Sequence, residues 1–358
     1  MDRADILHQR LFNQGLSEKK FKNPYDAVKY LGAVQAQDYP AAKWGISLRL
    51  QNYSEQKIDE ALNRGSILRT HVMRPTWHFV APEDIKWMQM LTSPRVNKIL
   101  GHYNRKLGLD EKLFTKTNSI ISKALKNENF LTRTELSAVL KKHGIHKQTQ
   151  ALAHIVSQAE LDAVICSGPR KGKQFTYALI EERAPKVKEI SQEKALEELV
   201  KRYFTSHGPA TVYDFVWWSG LTMAETKKGI ELAKNALKSE IVENQTFWFS
   251  SKQVPAKKNS KKVYLLANYD EYTIGYKSKK ALYFPPGLNL STPSGYIAFA
   301  HAIVIDGLIA GMWKRTIEKK SILITTKLFS KLNKEEQSGL REAANEYGEF
   351  FGLETKLD

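Results

Sequence analysis

The sequence predicts an α+β fold, in which three tandem winged helix-turn-helix units precede a C-terminal β-barrel-like part and a terminal helix. Two observations predict it. A pattern of capped helices followed by a pair of strand-like runs recurs three times before residue 255, and strand-like runs dominate after residue 262. Repetition of one order of elements is harder to produce by chance than a single occurrence. The predicted domains span residues 1–110, 111–184, 185–255 and 256–358.

The second unit shows the pattern most clearly. Thr132 lies three residues before Glu135, so the two form a capping box that opens a short helix. Gly144 stands where a left-handed residue would end that helix. A second helix is predicted over 147–160, and strand-like runs follow at 163–166 and 175–179. Two helices, a strand, a loop and a strand are the order of a winged helix.

The loop between these two strand-like runs is strongly basic. Residues 169–173 include Arg170, Lys171 and Lys173. Such a loop projects beyond the core and keeps its charges hydrated, so it is suited to contact with phosphates. These three residues are therefore predicted to form a DNA-binding wing.

The third unit repeats the order of the second. An amphipathic helix is predicted over 195–206, and Thr211 is expected to cap a short helix after it. Thr222 and Glu225 form another capping box, whose helix is predicted to reach about Leu237. The strand pair of this unit is expected around 241–242 and 247–249.

The first unit is a looser version of the same pattern. Asn23 and Pro24 are typical of a helix start, and that helix is predicted to reach about Gln35. Ser54 is predicted to cap a further helix that ends at Gly65. Strand-like runs follow at 67–71 and 77–80, and another helix is expected from residue 82.

The C-terminal part has the pattern of a small sheet with a closing helix. Asp306 and Gly307 are a strong hairpin signal between two strand-like runs. The predicted strands are 263–267, 296–305, 308–313 and 321–325, with a proline-rich loop at 284–287 and a helix over 333–351. The segment 251–262 holds five lysines and no acid, which fits either a solvated linker or a DNA-contacting strip.

Composition narrows the class of protein. The chain has 358 residues, with 55 Lys+Arg against 38 Asp+Glu and a formal net charge of +17. This excess indicates a polyanionic partner, nucleic acid first, although a solvated basic surface would also explain it. No apolar run reaches the roughly 18 residues of a membrane helix, and the N-terminus lacks a signal core. We therefore expect a cytoplasmic protein.

Several kinds of catalytic site are not indicated. The sequence has no glycine-rich dinucleotide or nucleotide motif and no zinc-protease motif. Nine scattered histidines and a single cysteine, Cys166, do not suggest a metal site. Ser54 fits a Ser-x-x-Lys pattern, but a helix cap explains it better. No cofactor and no metal are expected.

Two local patterns are unusual. Gln35 and Gln37 are separated by one residue at the predicted end of the first helix, where a polar helix terminus is the simplest explanation. The run 69–78 holds two arginines, two histidines and two threonines. Alternation along its second half predicts Thr76 and His78 on one face of a strand and Trp77 on the other. So dense a set of hydrogen-bond donors exceeds what a core strand needs.

At these residues the sequence resembles the AlkZ/YcaQ-like DNA glycosylases. The resemblance covers nearly the whole chain. The segments that carry it are 34–37, 68–80, 268–272 and 304–315. It implies three tandem winged helices around a barrel-like C-terminal part, and excision of N7-alkylated purines, with unhooking of interstrand crosslinks in some members.

The resemblance also implies site residues. Gln35 and Gln37 match the family's catalytic glutamine motif, with Ala36 between them, and would position a water against the anomeric carbon. An N7-alkylguanine is cationic and leaves without protonation, so a neutral amide that orients water is chemically sufficient. The resemblance implies pocket or phosphate contacts for four further residues, namely Arg69, Arg74, Thr76 and His78.

The function expected from the resemblance is therefore that of a monofunctional, metal-free glycosylase. Its partner would be double-stranded DNA, alkylated or crosslinked, and the protein would act as a monomer near the nucleoid. The alternative is a winged-helix DNA-binding protein without catalysis, such as a regulator or an architectural factor. A simple repressor places one reading helix per subunit in a dimer, so three winged helices in one chain favour the glycosylase.

Overall fold

The computed structural model describes residues 1–256, 262–277, 284 and 300–358. These residues form two compact units. Unit 1 comprises Met1–Ile58, Glu197–Trp218 and Thr222–Asp358, and unit 2 comprises Asp59–Leu196 and Ser219–Leu221. Helices and strands occur in both units, so the predicted α+β class is confirmed.

The helices of the described residues are α1 (Arg3–Asn13), α2 (Pro24–Leu31), α3 (Tyr39–Ser47), α4 (Glu55–Arg64), α5 (Ile85–Lys106), α6 (Glu111–Leu125), α7 (Arg133–Lys142), α8 (Thr149–Leu161), α9 (Ile180–Arg183), α10 (Gln192–Ser206), α11 (Val212–Ser219), α12 (Met223–Leu232), α13 (Glu271–Ile274) and α14 (Lys334–Phe351). The strands are β1 (Val34–Gln35), β2 (Leu68–Val72), β3 (Arg74–Val80), β4 (Leu131–Thr132), β5 (Ile165–Ser167), β6 (Thr176–Leu179), β7 (Leu237–Val242), β8 (Gln245–Ser250), β9 (Val263–Leu265), β10 (Ala302–Ile305), β11 (Leu308–Ile317), β12 (Ser321–Leu328) and β13 (Glu354–Leu357). Within the described residues, no helix is both long enough and apolar enough to cross a membrane.

Unit 2 follows the predicted order closely. Thr132 and Glu135 form the capping box that opens α7, and Gly144 takes the left-handed conformation after it, at φ 77°. Strands β4, β6 and β5 form an antiparallel sheet behind helices α6, α7 and α8. Side chains from the helices and the sheet make one hydrophobic core, namely Leu109, Ile121, Leu125, Leu136, Leu140, Ile145, Ala151, Leu152, Ile155, Val156, Ala159, Ile165, Tyr177 and Leu179.

Helix α8 is more deeply buried than a DNA-reading helix would be. In a winged helix of this order, α8 is the helix expected to face DNA. Its exposed residues are confined to Thr149 and Gln150, and every residue from Ile155 to Leu161 is buried. It packs on α5 and β2 as well as on its own sheet. Helix α8 therefore offers DNA little besides its first turn.

In unit 1, helix α2 is shorter than predicted. It begins at Pro24 after the Asn23 cap, as expected, but ends at Leu31 and not near Gln35. Gly32 follows at φ 86°, a conformation that a helix cannot continue. The prediction that the glutamine pair ends a helix is therefore wrong, because the chain at Gln35 is already extended.

The segment after α10 shows a second shortened helix. Thr222 and Glu225 form the predicted capping box, but α12 ends at Leu232, and Leu237 is already the first residue of β7. Strands β7 and β8 form an antiparallel pair joined by a tight turn at Glu243 and Asn244. Both turn residues have positive φ, at 48° and 61°, as a two-residue hairpin turn requires.

The C-terminal part contains a five-stranded sheet, in the order β13-β12-β11-β10-β9. Asp306 and Gly307 make the predicted hairpin turn, with φ of 53° and 81°. Helix α14 matches the predicted helix over 333–351, and Asn333 is its cap. Strand β13, which pairs in parallel with β12, was not predicted. Residues 285–287 of the predicted loop and the start of the predicted strand 296–305 lie outside the described residues, as does part of the lysine-rich segment 251–262.

Candidate active site

The glutamine pair lies on a short extended segment of unit 1. Gln35 belongs to β1 and is 9% exposed, whereas the Gln37 side chain is exposed. Gln37 lies just beyond the strand, at a bend in the chain. One glutamine of the pair is therefore buried, and the other is accessible to solvent.

The carboxyl group of Glu271 holds the Gln35 backbone. Its Oε1 accepts a hydrogen bond from the Gln35 N–H at 2.9 Å, and its Oε2 accepts one from Trp218 Nε1 at 3.0 Å. His207 Nε2 lies 3.4 Å from the same Oε2. Glu271 is 1% exposed and His207 is fully buried. Burial lowers the pKa of His207 although Glu271 opposes this shift, so the imidazole is neutral at pH 7.

The other end of the glutamine segment is held by Asp38. Its Oδ1 accepts a hydrogen bond from the Ala41 N–H at 3.1 Å and so caps helix α3. Its Oδ2 accepts one from Asn268 Nδ2 at 3.0 Å. Two anchors from the segment 268–271 therefore bracket Gln35 and Gln37.

A void of about 10 Å³ lies beside Gln35. Its lining includes Gly45, Arg49, Asn268 and Glu271. A space of this size holds about one water molecule and excludes a purine base.

Arg69, the first of the four residues for which pocket or phosphate contacts are expected, is packed inside unit 2. The Arg69 guanidinium lies 4.4 Å from the ring centre of Trp77 and 4.4 Å from that of Phe175, so it is sandwiched between two aromatic rings. Arg69 is only 7% exposed. On the same face, His71 hydrogen-bonds to the buried Glu160 and its ring lies 4.4 Å from Trp77. This face of the β2–β3 hairpin is a buried polar cluster.

The opposite face of the hairpin carries the other three predicted residues. His78 Nδ1 donates to the Thr76 carbonyl oxygen at 2.9 Å, and His78 Nε2 lies 3.4 Å from Arg74 Nη2, which donates to it. This arrangement requires the Nδ1–H tautomer. Thr76 and Arg74 are partly exposed, whereas His78 is buried. The alternation predicted for Thr76, Trp77 and His78 is therefore present.

The predicted wing, residues 169–173, is basic but partly neutralised. Arg170 Nη1 lies 3.6 Å from Asp59, and Lys171 Nζ donates to both oxygens of Glu135 at 3.1 and 3.2 Å. Hydrogen bonds from the Thr132 N–H and from Lys171 lower the pKa of Glu135 to about 2. Lys173 is exposed.

The structure thus brings the predicted residues together in two sets. Gln35 and Gln37 belong to unit 1, and the arginine, threonine, histidine and wing residues belong to unit 2. In the described ranges, no three His, Cys, Asp or Glu side chains are grouped so that they could hold a metal ion. Cys166 is buried, which raises the pKa of its thiol to about 12.

No sequence pattern identified the residues that hold the glutamine segment. Asn268 and Glu271 lie within the segment 268–272, which carries part of the family resemblance, but the resemblance implied no role for them. The one sequence signal that could have identified these residues is that an amide and two carboxyl groups lie close together in that segment.

A family model described as "DNA glycosylase AlkZ-like" matches residues 28–350. The chain therefore belongs to the AlkZ-like DNA glycosylase family. An interstrand DNA cross-link repair glycosylase of Streptomyces sahachiroi is 22% identical over 328 residues, which cover 86% of each chain. The structure of the DNA glycosylase AlkZ of Streptomyces sahachiroi covers 100% of both chains with a TM-score of 0.80 at 18% identity, which shows a shared fold.

Proposed function

We propose that this protein hydrolyses the N-glycosidic bond of N7-alkylated purines in DNA and unhooks interstrand crosslinks, with Gln35 and Gln37 positioning the attacking water. The observation that carries the proposal is the family match over residues 28–350, which includes the glutamine segment. The interstrand cross-link repair activity named for the Streptomyces sahachiroi relative supports the substrate class.

The proposed chemistry needs only neutral groups at the reacting carbon. Alkylation at N7 makes the purine a cationic leaving group, so no acid is needed to protonate it. The enzyme must hold a water and stabilise a sugar with oxocarbenium character. The carbonyl oxygens of Gln35 and Gln37 accept hydrogen bonds from that water and orient its lone pair. The C–N bond breaks with its electron pair going to the purine, water bonds to the anomeric carbon, and the proton that the water loses passes to bulk water, since an amide takes no proton near pH 7. No metal, cofactor or lysine nucleophile enters this reaction, which makes the enzyme monofunctional.

The exposure of Gln37, together with the small size of the void beside Gln35, supports an open mode of lesion recognition. The void of about 10 Å³ excludes a purine. A crosslinked base remains tied to the other strand and cannot swing into a closed pocket as a simple base does. We therefore propose that the lesion meets Gln37, the exposed member of the pair, at the protein surface.

We propose DNA contacts for the residues of unit 2. Arg74 and Thr76 are partly exposed and would contact the backbone phosphates, while the buried His78 orients Arg74. Arg69 would support this hairpin from its other face. The wing residues Arg170, Lys171 and Lys173 would add further phosphate contacts.

The architectural predictions are part of the proposal. The order of elements supports three winged helices over 1–110, 111–184 and 185–255, with a barrel-like part over 256–358. A chain of this kind would act as a monomer on DNA at the nucleoid in the cytoplasm.

The proposal is tested with two defined duplexes, one with a single N7-methylguanine and one with a nitrogen-mustard interstrand crosslink. After incubation, alkali cleaves the strand wherever a base has been released. We expect cleavage products with wild-type protein and a loss of about 100-fold or more in single-turnover rate for the Gln35→Ala/Gln37→Ala variant.

Gln245→Ala is the matched control, because Gln245 is an exposed glutamine of unit 1 on strand β8. It is expected to keep the wild-type rate. Tight DNA binding by wild-type protein without any base release from either duplex would refute the glycosylase proposal and leave the non-catalytic DNA-binding protein.

A further inference from the structure

We propose that the segment 268–271 is a clamp that positions the catalytic glutamines, with Glu271 and Asn268 as positioning residues. The clamp holds both ends of the glutamine segment: Glu271 binds the Gln35 N–H at 2.9 Å and Asn268 binds Asp38 at 3.0 Å. This inference rests on the proposed function, because it assigns the clamp to the same site.

The glutamine segment needs anchors from elsewhere in the chain. It lies between the end of α2 at Leu31 and the start of α3 at Tyr39, with Gly32 at φ 86°. Its strand, β1, is two residues long. A strand of this length makes few backbone hydrogen bonds, so side-chain bonds from elsewhere in the chain add to what holds Gln35 in place.

Glu271 is well suited to this role. A carboxylate that accepts from a backbone N–H makes a shorter and stronger bond than a neutral acceptor does. Its second oxygen accepts from the fully buried Trp218, and the fully buried His207 lies 3.4 Å away. The carboxyl group is therefore fixed on both sides, and this rigidity passes to Gln35 through a single bond.

Glu271 cannot itself touch DNA. It is 1% exposed, so any effect on base release acts through the groups that it holds, of which Gln35 belongs to the proposed catalytic pair. Misplacement of a catalytic group by about 1 Å can lower a rate about 100-fold. Loss of the clamp should thus lower the rate of base release and leave DNA affinity unchanged.

The first test measures position without activity. In hydrogen–deuterium exchange of the full-length protein, Glu271→Ala should increase exchange in peptides covering residues 33–38 at least tenfold. Tyr272→Phe is the matched control, because it removes a buried hydrogen bond from the same helix, to the Gly307 carbonyl oxygen, and leaves Glu271 intact. Unchanged exchange in the folded Glu271→Ala protein would overturn the clamp, whatever the wild-type protein does to DNA.

The second test measures base release from the N7-methylguanine duplex. Single-turnover rates should fall in the order wild type, Glu271→Gln, Glu271→Ala, by about tenfold and about 100-fold, while the Kd for DNA stays within threefold. Tyr272→Phe should stay within threefold in rate. Equal losses for Tyr272→Phe and Glu271→Ala would show that Glu271 is merely structural and would overturn its positioning role.

The outcomes separate the clamp from the proposed function. Increased exchange with no base release by wild-type protein supports the clamp and refutes the glycosylase. Increased exchange with an unchanged rate in an active enzyme overturns the positioning role and keeps the glycosylase. Should Glu271→Ala fail to fold, Asn268→Ala tests the other end, where increased exchange at residues 38–41 supports the clamp and unchanged exchange overturns it.

Discussion

Arg49 and Asp270 lie 221 positions apart and form a two-bond ion pair in unit 1. Arg49 Nη1 donates to Asp270 Oδ2 and Nη2 donates to Oδ1, both at 2.8 Å. The Asp270 side chain is fully buried, and that of Arg49 is 2% exposed. Burial alone would lower the pKa of Arg49, but the nearby Asp270 raises it above its usual value. The pair ties the turn that follows helix α3 to the segment that carries Glu271.

The first prediction concerns the stability of this pair. Asp270→Asn leaves a buried guanidinium without its counter-charge, which should cost about 3–5 kcal/mol in the free energy of unfolding. Urea denaturation of both proteins measures the difference. Glu60→Gln is the control, because Glu60 belongs to an exposed pair with Arg64 at 3.8 Å, for which a change below about 0.5 kcal/mol is expected. A similar small loss for Asp270→Asn would show that the pair contributes little.

The second prediction concerns pH. Burial, followed by the charge of Arg315, lowers the pKa of His301 to about 4. The unfolded histidine takes up its proton near pH 6.5, so between pH 6.5 and 4 the unfolded chain binds more protons than the folded one. The stability that neutral His301 contributes is therefore complete above pH 6.5 and decreases as the pH falls, by about 3 kcal/mol at pH 4.

His301→Phe provides the comparison for this effect. The His301 ring meets Trp313 edge to face, with ring centres 4.9 Å apart, and a phenyl ring can keep that contact. The unfolding free energy of wild type should fall relative to that of the variant by about 3 kcal/mol between pH 7 and pH 4, since the variant lacks this proton uptake. Unfolding free energies that differ by a constant amount between pH 4 and pH 7 would show that the pKa of His301 is not lowered.

Much of the fold follows from local sequence signals. The capping box of Thr132 and Glu135 is present as predicted because its hydrogen bonds join residues three positions apart. Helices α2 and α12 end earlier in the structure than the sequence predicts. A run of residues with good helix propensity does not show where the chain must change from a helix to a strand. Strand β13 was missed because its parallel pairing with β12 spans a whole helix.

The candidate site is predictable only in part. Gln35 and Gln37 were found through a resemblance to a family, since two polar residues at that spacing have no structural signature of their own. The contact of Glu271 with Gln35 joins residues 236 positions apart. No periodicity or spacing rule reaches such a contact, which only the packed tertiary structure creates.

The third prediction separates a packing role from a DNA-binding role at Arg69. Its guanidinium lies between Trp77 and Phe175 and is 7% exposed. A lysine cannot stack as a planar guanidinium does, so Arg69→Lys should cost about 1–2 kcal/mol in unfolding free energy. The salt dependence of DNA binding should not change, because so buried a charge releases no counterions from DNA.

Arg64→Lys is the matched control, since the Arg64 side chain is 76% exposed and should change stability by less than about 0.5 kcal/mol. Urea denaturation and DNA titrations at several salt concentrations provide both measurements. A flatter salt dependence in a folded Arg69→Gln protein, which lacks the charge that lysine keeps, would instead assign Arg69 to the DNA phosphates.

The fourth prediction concerns the wing. Replacing Arg170, Lys171 and Lys173 together by Ala should weaken DNA binding and flatten its dependence on salt, because fewer counterions are released per complex. The contributions should be unequal. Lys171 is already paired with Glu135, whereas Lys173 is exposed, so Lys173→Ala alone should reduce the slope of log K against log salt by about 0.9. Lys171→Ala should change the slope less, because its charge is partly neutralised in the free protein.

Lys98→Ala, at an exposed position on α5, controls for the loss of one positive charge. A slope equal to that of wild type in the triple variant would place the wing away from DNA.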